Sequence, residues 1–300
     1  MLDIFSSIYS ALGLQINTAK TEVIAQFYQP PLEQPHFTIN GTAIKVVEHF
    51  TYLGSILNQH CSLDSEIQAR IHSASSAFGR LRERVFGNKN IKIATKAAVY
   101  RAVCISTLLY ASETWTPYRR HIRALESFHI NCLNRILGLT WKDKVTRDEV
   151  FQRTNLCSVE ALLAQRHLRW LGHTIRMPEH RLPLQVLYGQ LAEGTRPAGG
   201  QRKRYKDHSK ETLKKCNIPP ESLETTARDR NLWKCSTLQG MQLIESSLSH
   251  KRAEKRRMRH QQVPQDAHPG GTYPCHLCNK ICGSRIGLHS HLKWHERQRP

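Results

Sequence analysis

The sequence predicts a mainly α fold, with a small antiparallel β portion near its start and a short ββα module at its end. Three observations predict it. Apolar residues recur at helical spacing through most of residues 62–177. One Asn-Gly step, Asn40-Gly41, lies between two short alternating runs. Residues 275–295 hold two cysteines and two histidines at the spacing of a closed metal site.

Taken in order, Leu2, Phe5, Ile8 and Leu12 mark one helix face, and Gly13 suits its stop. Lys20–Ile24 alternates like a strand. A hairpin follows, His36–Ile39 and Thr42–Val47, because both residues of Asn40-Gly41 tolerate positive φ. A last short strand is expected over Phe50–Ile56. Ser62 or Asp64 can then cap a helix that turns Ile67, Ile71, Ala74, Phe78, Leu81 and Val85 inward. A second helix over Lys92–Ser112 would bury Ala98, Val99, Ala102, Ile105, Leu108 and Leu109. A third, Arg119–Leu137, carries Ile122, Leu125, Phe128, Cys132, Leu133 and Ile136. Thr146-x-x-Glu149 reads as a capping box. Ser158–Met177 is a further helix with Leu162, Leu163, Leu168, Trp170 and Leu171. Beyond it, Leu232-Trp233 and Leu243-Ile244 suggest loosely docked helices near 208–216 and 222–247, and 261–270 reads as a linker.

Charge narrows the partner. With 44 Lys and Arg against 24 Asp and Glu, the 300-residue chain carries +20. Such an excess points to a polyanion, nucleic acid ahead of a membrane surface. Residues 181–270 hold 18 basic and nine acidic side chains, the densest run being Lys251–His260. The longest uncharged apolar stretch, Ala102–Ser112, falls far short of the roughly 20 residues a membrane span needs. The N-terminus lacks the basic start of a signal peptide and carries Asp3. Nine cysteines, irregularly spaced, make a poor disulfide framework, so a reducing compartment is expected. The Lys/Arg clusters favour the nucleus over the cytoplasm. His167 and His173 flank Trp170 without a third ligand and read as core or surface histidines; Cys104, Cys132 and Cys157 read as small hydrophobes.

The sharpest local signal is Cys275-x2-Cys278-x12-His291-x3-His295. A hairpin knuckle converges two thiolates, while histidines four apart share one helix face, so the four can close a tetrahedron around Zn²⁺. Metal binding then supplies the folding energy that so short a segment cannot draw from a core. Tyr273 and Leu288 take the small-core positions of a two-Cys, two-His finger; Cys282 replaces its central aromatic. His276, Cys282 and His289 are further candidate ligands, of which His289 faces away from His291 and His295. The positions aimed at bases are Ser284, Gly287 and Ser290, none of which offers bidentate recognition. Nucleic-acid contact is therefore expected through phosphates. Its candidates are Lys280, Arg285, Lys293 and Arg297 in the finger, and Lys251, Arg252, Lys255, Arg256, Arg257 and Arg259 in the basic run. Arg202, Lys203 and Arg204 in a Gly-rich basic loop complete the set.

Several motifs resemble one family. Gly13-Leu14-x-Ile16-Asn17-x-x-Lys20-Thr21, then Phe50-x-Tyr52-Leu53-Gly54, is similar to the end of a non-LTR (LINE-type) retrotransposon reverse transcriptase. So are His167-Leu-Arg-Trp170-Leu-Gly-His173-x-x-Arg176-Met177 and Gly199-Gly-Gln-Arg-Lys-Arg-Tyr205-Lys-Asp207. The resemblance implies a palm remnant over 1–57, a helical thumb-like domain over 58–185 that cradles template and primer, a basic connector over 186–270 and the zinc finger over 271–297. Arg80, Arg84, Arg119, Arg120 and Arg123 would then face phosphates or simply solvent. The family's two-metal chemistry needs converging aspartates. Its aromatic-x-Asp-Asp box is expected just before Gly13, where the chain begins too late to contain it, and no Asp-Asp pair occurs in the sequence. Lys20 matches the family's lysine near the leaving pyrophosphate, and alone reads as a surface lysine. No catalytic residue is assigned. The expectation is a catalytically incomplete, zinc-binding protein that holds RNA or a duplex. Its alternatives are part of an active RNA-directed DNA polymerase completed by upstream sequence, a zinc-dependent protein-interaction module, and a decayed relic.

Overall fold

The structure is a computed structural model that describes residues 2–25, 36–189, 199, 202–261 and 273–297. The chain divides into two compact units, Met1–Leu248 and Ser249–Pro300. No described helix is long and apolar enough to cross a membrane.

The first unit opens with α1 (Leu2–Ala11), followed by β1 (Glu22–Val23), β2 (Phe37–Ile39) and β3 (Thr42–Val46). The Asn40-Gly41 turn forms as expected, with φ of 48° and 78° and the register Phe37↔Ile44, Ile39↔Thr42. Asn40 is tied to α1: its N–H donates to Asp3 (2.8 Å) and its side-chain amide to Ser6 Oγ (2.9 Å). The sheet is not wholly antiparallel, because β1 lies parallel to β3 through Glu22↔Lys45.

The strand expected over Phe50–Ile56 is instead a second hairpin, β4 (His49–Tyr52) and β5 (Ser55–Asn58), turning on Leu53-Gly54. Both turn residues have positive φ (47° and 79°), which a leucine rarely adopts. Neighbouring side chains hold it there. Tyr110 Oη donates to the Leu53 carbonyl (2.8 Å), and Arg70 donates to the Gly54 carbonyl. Buried Glu66 accepts from Ile56 N–H (2.7 Å) and from Arg70 Nε (2.8 Å).

A helical bundle follows: α2 (Asp64–Leu81), α3 (Ile93–Tyr100), α4 (Ser106–Leu108), α5 (Arg119–Leu137), α6 (Arg147–Thr154) and α7 (Val159–Ile175). α5 and α7 lie within two residues of their expected bounds, whereas α2 stops at Leu81 and a π-helical turn, Arg82–Phe86, carries the expected inward Val85. The helix expected over Lys92–Ser112 is broken by a π-helical turn at Arg101–Ile105. Its buried face is accordingly Ala97, Tyr100, Cys104, Ile105, Leu108 and Leu109, while Ala98 and Ala102 are exposed. The larger, amphipathic Tyr100 takes the interior because its hydroxyl meets His129 Nδ1 at 2.9 Å. Phe78 and Phe86 stack at 4.5 Å, and Tyr100 meets both edge-on. His129 Nε2 reaches the Cys157 carbonyl at 3.1 Å, so this buried imidazole is satisfied on both sides.

The rest of the first unit is α8 (Leu182–Tyr188), α9 (Tyr205–Lys215), α10 (Leu223–Arg228) and most of α11 (Arg230–Gln261). Rather than docking loosely, these helices build a second apolar cluster with α7 from Leu168, Leu171, Leu213, Cys216, Ala227, Trp233 and Ile244. Two glycines permit the close approach. A Cβ on Gly172 would stand 2.1 Å from Trp233 Nε1, and one on Gly240 2.6 Å from Cys216 Cβ. The N-terminus of α7 meets two carboxylates: Glu126 accepts from Val159 N–H (2.7 Å), and Glu245 from Ser158 N–H (2.9 Å). The second unit carries the end of α11, then β6 (Tyr273–Pro274), β7 (Ile281–Cys282) and α12 (Arg285–Arg297). The expected linker after Gln261 lies outside the described residues.

Candidate metal centre and basic surfaces

The hairpin β6–β7 pairs Tyr273↔Cys282 and Pro274↔Ile281. Its knuckle is closed by Cys275 N–H to the Lys280 carbonyl (2.9 Å) and Asn279 N–H to the Cys275 carbonyl (2.8 Å), with Asn279 at φ 56°. α12 starts on a cap in which Ser284 Oγ accepts from Gly287 N–H (3.1 Å). His291 and His295, one turn apart, then point to the knuckle. Cys278 Sγ lies 3.0 Å from His291 Nε2 and 3.2 Å from His295 Nε2. One ligand atom from each of Cys275, Cys278, His291 and His295 falls within 4.8 Å of the others. Metal bonds of about 2.0 Å to nitrogen and 2.3 Å to sulfur imply tetrahedral edges of roughly 3.3–3.8 Å. The donor set therefore fits a tetrahedral ion of borderline softness.

Electrostatics favour the metal-ready forms. Burial pushes the Cys275 thiol up, but the N–H groups of Leu277 and Cys278 and the Cys278 thiol outweigh it, and the net direction is down. His291 is also lowered, by burial and then by His295 and Lys280. Metal ligation requires thiolate and neutral imidazole. Elsewhere, burial raises the thiols of Cys104 and Cys216 to about 11 and of Cys132 to about 12, the behaviour of structural cysteines. Among the described residues, the four finger residues are the only group of three or more His, Cys, Asp or Glu placed to hold an ion. They are the four that the spacing singles out; His276, Cys282 and His289 lie outside the group.

The basic candidates fall into three situations. Lys280, Arg285 and Lys293 are exposed on the finger, and Arg297 ends α12. Lys251, Lys255, Arg257 and Arg259 are exposed on α11, while Arg252 and Arg256 are half-buried and have partners. The cations of the expected basic loop are engaged within the chain. Arg202 donates to the His60 carbonyl, Lys203 pairs with Glu211, and Arg204 pairs with Asp207 (2.9 Å). In the bundle, Arg119 pairs with Glu160 (2.8 Å) and Arg120 with Asp64 (2.7 Å), whereas Arg80, Arg84 and Arg123 are exposed. Lys20 is exposed beside β1. His167 is buried, with Nε2 3.0 Å from Ser209 Oγ, and His173 is exposed.

One basic feature escaped the sequence reading, a cleft between α7 and α11 lined by Arg169, Trp170, Arg176, Arg230 and Lys234. A signal for it lies in the sequence, where Arg169, His173 and Arg176 recur at helical spacing opposite the apolar stripe of α7.

Against known proteins, no family model matches the chain and no solved structure matches it. An uncharacterized transposon-derived protein of Caenorhabditis elegans is 24% identical over 232 residues, 75% of this chain and 82% of that protein. The RNA-directed DNA polymerase from mobile element jockey of Drosophila funebris is 23% identical over 148 residues, 49% of this chain and 16% of the polymerase. These similarities support a transposon-derived origin for the chain. More narrowly, the jockey match supports a relation to a retrotransposon reverse transcriptase, over a small part of that protein's length.

Proposed function

We propose that this chain is a zinc-dependent nucleic-acid-binding protein of retrotransposon origin that holds a polynucleotide through its phosphates and does not itself extend one. The observation that carries the reading is the Cys275, Cys278, His291 and His295 group, gathered within 4.8 Å in a chain of charge +20. Bound zinc supplies a structural crosslink that fastens α12 to the β6–β7 hairpin. The exposed cations of the finger and of α11 meet phosphates without reading sequence, since Ser284 is spent as a helix cap and Gly287 and Ser290 offer no bidentate donors. Extension chemistry would need converging carboxylates, and the 300 residues contain no Asp-Asp pair.

Titration of the zinc-loaded chain against duplex, hybrid and single-stranded probes at rising salt tests this. Phosphate contacts release counterions, so six to ten of them lower affinity roughly 10³–10⁵-fold between about 50 and 200 mM salt. A binding constant that is flat with salt overturns the reading. The jockey match favours a second reading, in which this chain is one part of a longer working polymerase. Template-primer extension by the chain alone, above a heat-killed control, would replace the first reading with that one.

A further inference from the structure

The cleft between α7 and α11 has a volume of about 830 Å³ and an unusual charge balance. Arg169 and Lys234 are exposed on its two walls, and Arg230 stands one turn before Lys234 on α11. The lining carboxylate, Glu113, is already used by Arg166 (3.3 Å), whose guanidinium also donates to the Leu109 carbonyl (3.0 Å). Arg169, Arg230 and Lys234 have no carboxylate partner among the described residues. Arg176 is anchored to the Ala227 carbonyl at 2.5 Å. Burial and then the like charge of Arg230 hold its proton affinity below the ordinary value. Cations drawn together without counter-charge are repelled until an anion joins them.

An aromatic face stands among these cations. Trp170 is half-buried, with His173 packed beside it at 5.4 Å between centroids. The floor is rigid: Trp233 lies 3% exposed, its Nε1–H donating to the Leu168 carbonyl at 2.9 Å.

We propose that this cleft binds a single-stranded polynucleotide, one base stacking on Trp170 while the flanking phosphates lie on Arg169, Arg230 and Lys234. The inference goes beyond the preceding reading, because it adds a site within residues 2–248 that contains no residue of the finger or of the 251–259 run. A duplex keeps its base faces inside its own stack, so a ring set in a concave wall is met by an unstacked base. A free phosphate, a headgroup or an acidic peptide would use the cations and leave the indole idle.

The experiment uses the full zinc-loaded chain with labelled ten-nucleotide oligouridylate and oligothymidylate, a duplex of the same length, and polyglutamate as competitor. Trp170→Ala should weaken both single-stranded probes about tenfold or more while leaving the duplex unchanged, and Trp170→Phe should retain most of the affinity. The paired exposed-site variant Arg169→Gln with Lys234→Gln should weaken the same probes and flatten their salt slope. The tighter of the two probes tells RNA from DNA. A variant lacking Lys255, Arg257 and Arg259 charges should keep the Trp170-dependent step. Unchanged single-strand binding in both the Trp170→Ala and the Arg169/Lys234 variants overturns the cleft and leaves the phosphate reading standing. Polyglutamate competing as well as the oligonucleotides also overturns it. A chain that binds no probe at all sinks both.

Discussion

The helical bundle and the finger differ most in the apolar area they bury. In the bundle, Tyr100, Leu108, Leu125, Leu133 and Leu168 are wholly buried, and interior polar groups such as His129 and Glu126 find partners. Among the described residues of the finger only Cys275 is buried, while Ile281 and Ile286 remain 65% and 80% exposed. With Cys282 where a large aromatic would sit, the finger has little apolar area to withdraw from water. One unit rests on area, while the other gathers four candidate ligand atoms. Perturbations should therefore sort cleanly between them.

The largest effect is on the finger. Metal binding to such peptides contributes about 10–16 kcal/mol. Chelation, Cys275→Ser or His295→Ala should abolish hydrogen-exchange protection over 285–297 while amides of α2, α5 and α7 keep theirs. Protection surviving in α12 without metal would mean that packing, not ligation, holds it.

Acid should strike the bundle. Burial lowers His129 and His208 to about 4 and His167 to about 3, against an ordinary value of 6.5. Between pH 6.5 and about 4 the unfolded chain takes up protons that the folded chain refuses. Stability is thus full above pH 6.5 and falls as pH drops toward 4, at up to about 1.4 kcal/mol per unit for each group. Three such groups over about 2.5 pH units set an upper bound of roughly 10 kcal/mol. Urea melts followed by near-ultraviolet signals of the bundle should show a falling midpoint over that window. His129→Asn should shrink the slope, and a midpoint flat from pH 7 to 4.5 would contradict the burial of these rings.

Much of this contrast was legible in the sequence, and what was not has physical reasons. Period-3.6 runs marked α2, α5 and α7, since those helices bury one continuous face. The finger was legible for a different reason: ligand geometry permits few spacings. Leu53 was missed because its left-handed turn is imposed from a distance, by Tyr110 and Arg70 acting on carbonyls of the turn. The π-turn at Arg101–Ile105 shifts the inward face, and no local residue announces it. The firm docking of α11 depends on Gly172 and Gly240, whose role appears only when Trp233 and Cys216 are in place. Arg202 looked free in sequence because its partner, His60, lies far along the chain, whereas Lys203 and Arg204 pair locally with Glu211 and Asp207 of α9.

Within the bundle, two glycines sharpen the same lesson about area. At Gly172 an added methyl would meet the Trp233 ring at 2.1–2.7 Å. The indole must then shift and loses its bond to the Leu168 carbonyl. Gly172→Ala should cost about 2–3 kcal/mol, from overpacking and a stranded buried N–H. Thermal melts should show a drop of several degrees, and an unchanged midpoint would mean that α11 is not seated on α7.

The smallest effect has the opposite sign. Gly79 lies on the exposed face of α2, and a Cβ there would meet nothing within 4 Å. Its backbone is helical, so alanine adds no strain; it removes the freedom that glycine has in the unfolded chain. Gly79→Ala should therefore stabilise the bundle by about 0.5–1 kcal/mol, while the finger's response to chelation stays as it was. The comparison of the two glycines turns on packing alone, because the chemical change is identical. A loss of stability at Gly79 would show that the α2 face is covered, and the exposed row that includes Arg80 would then not be open to solvent.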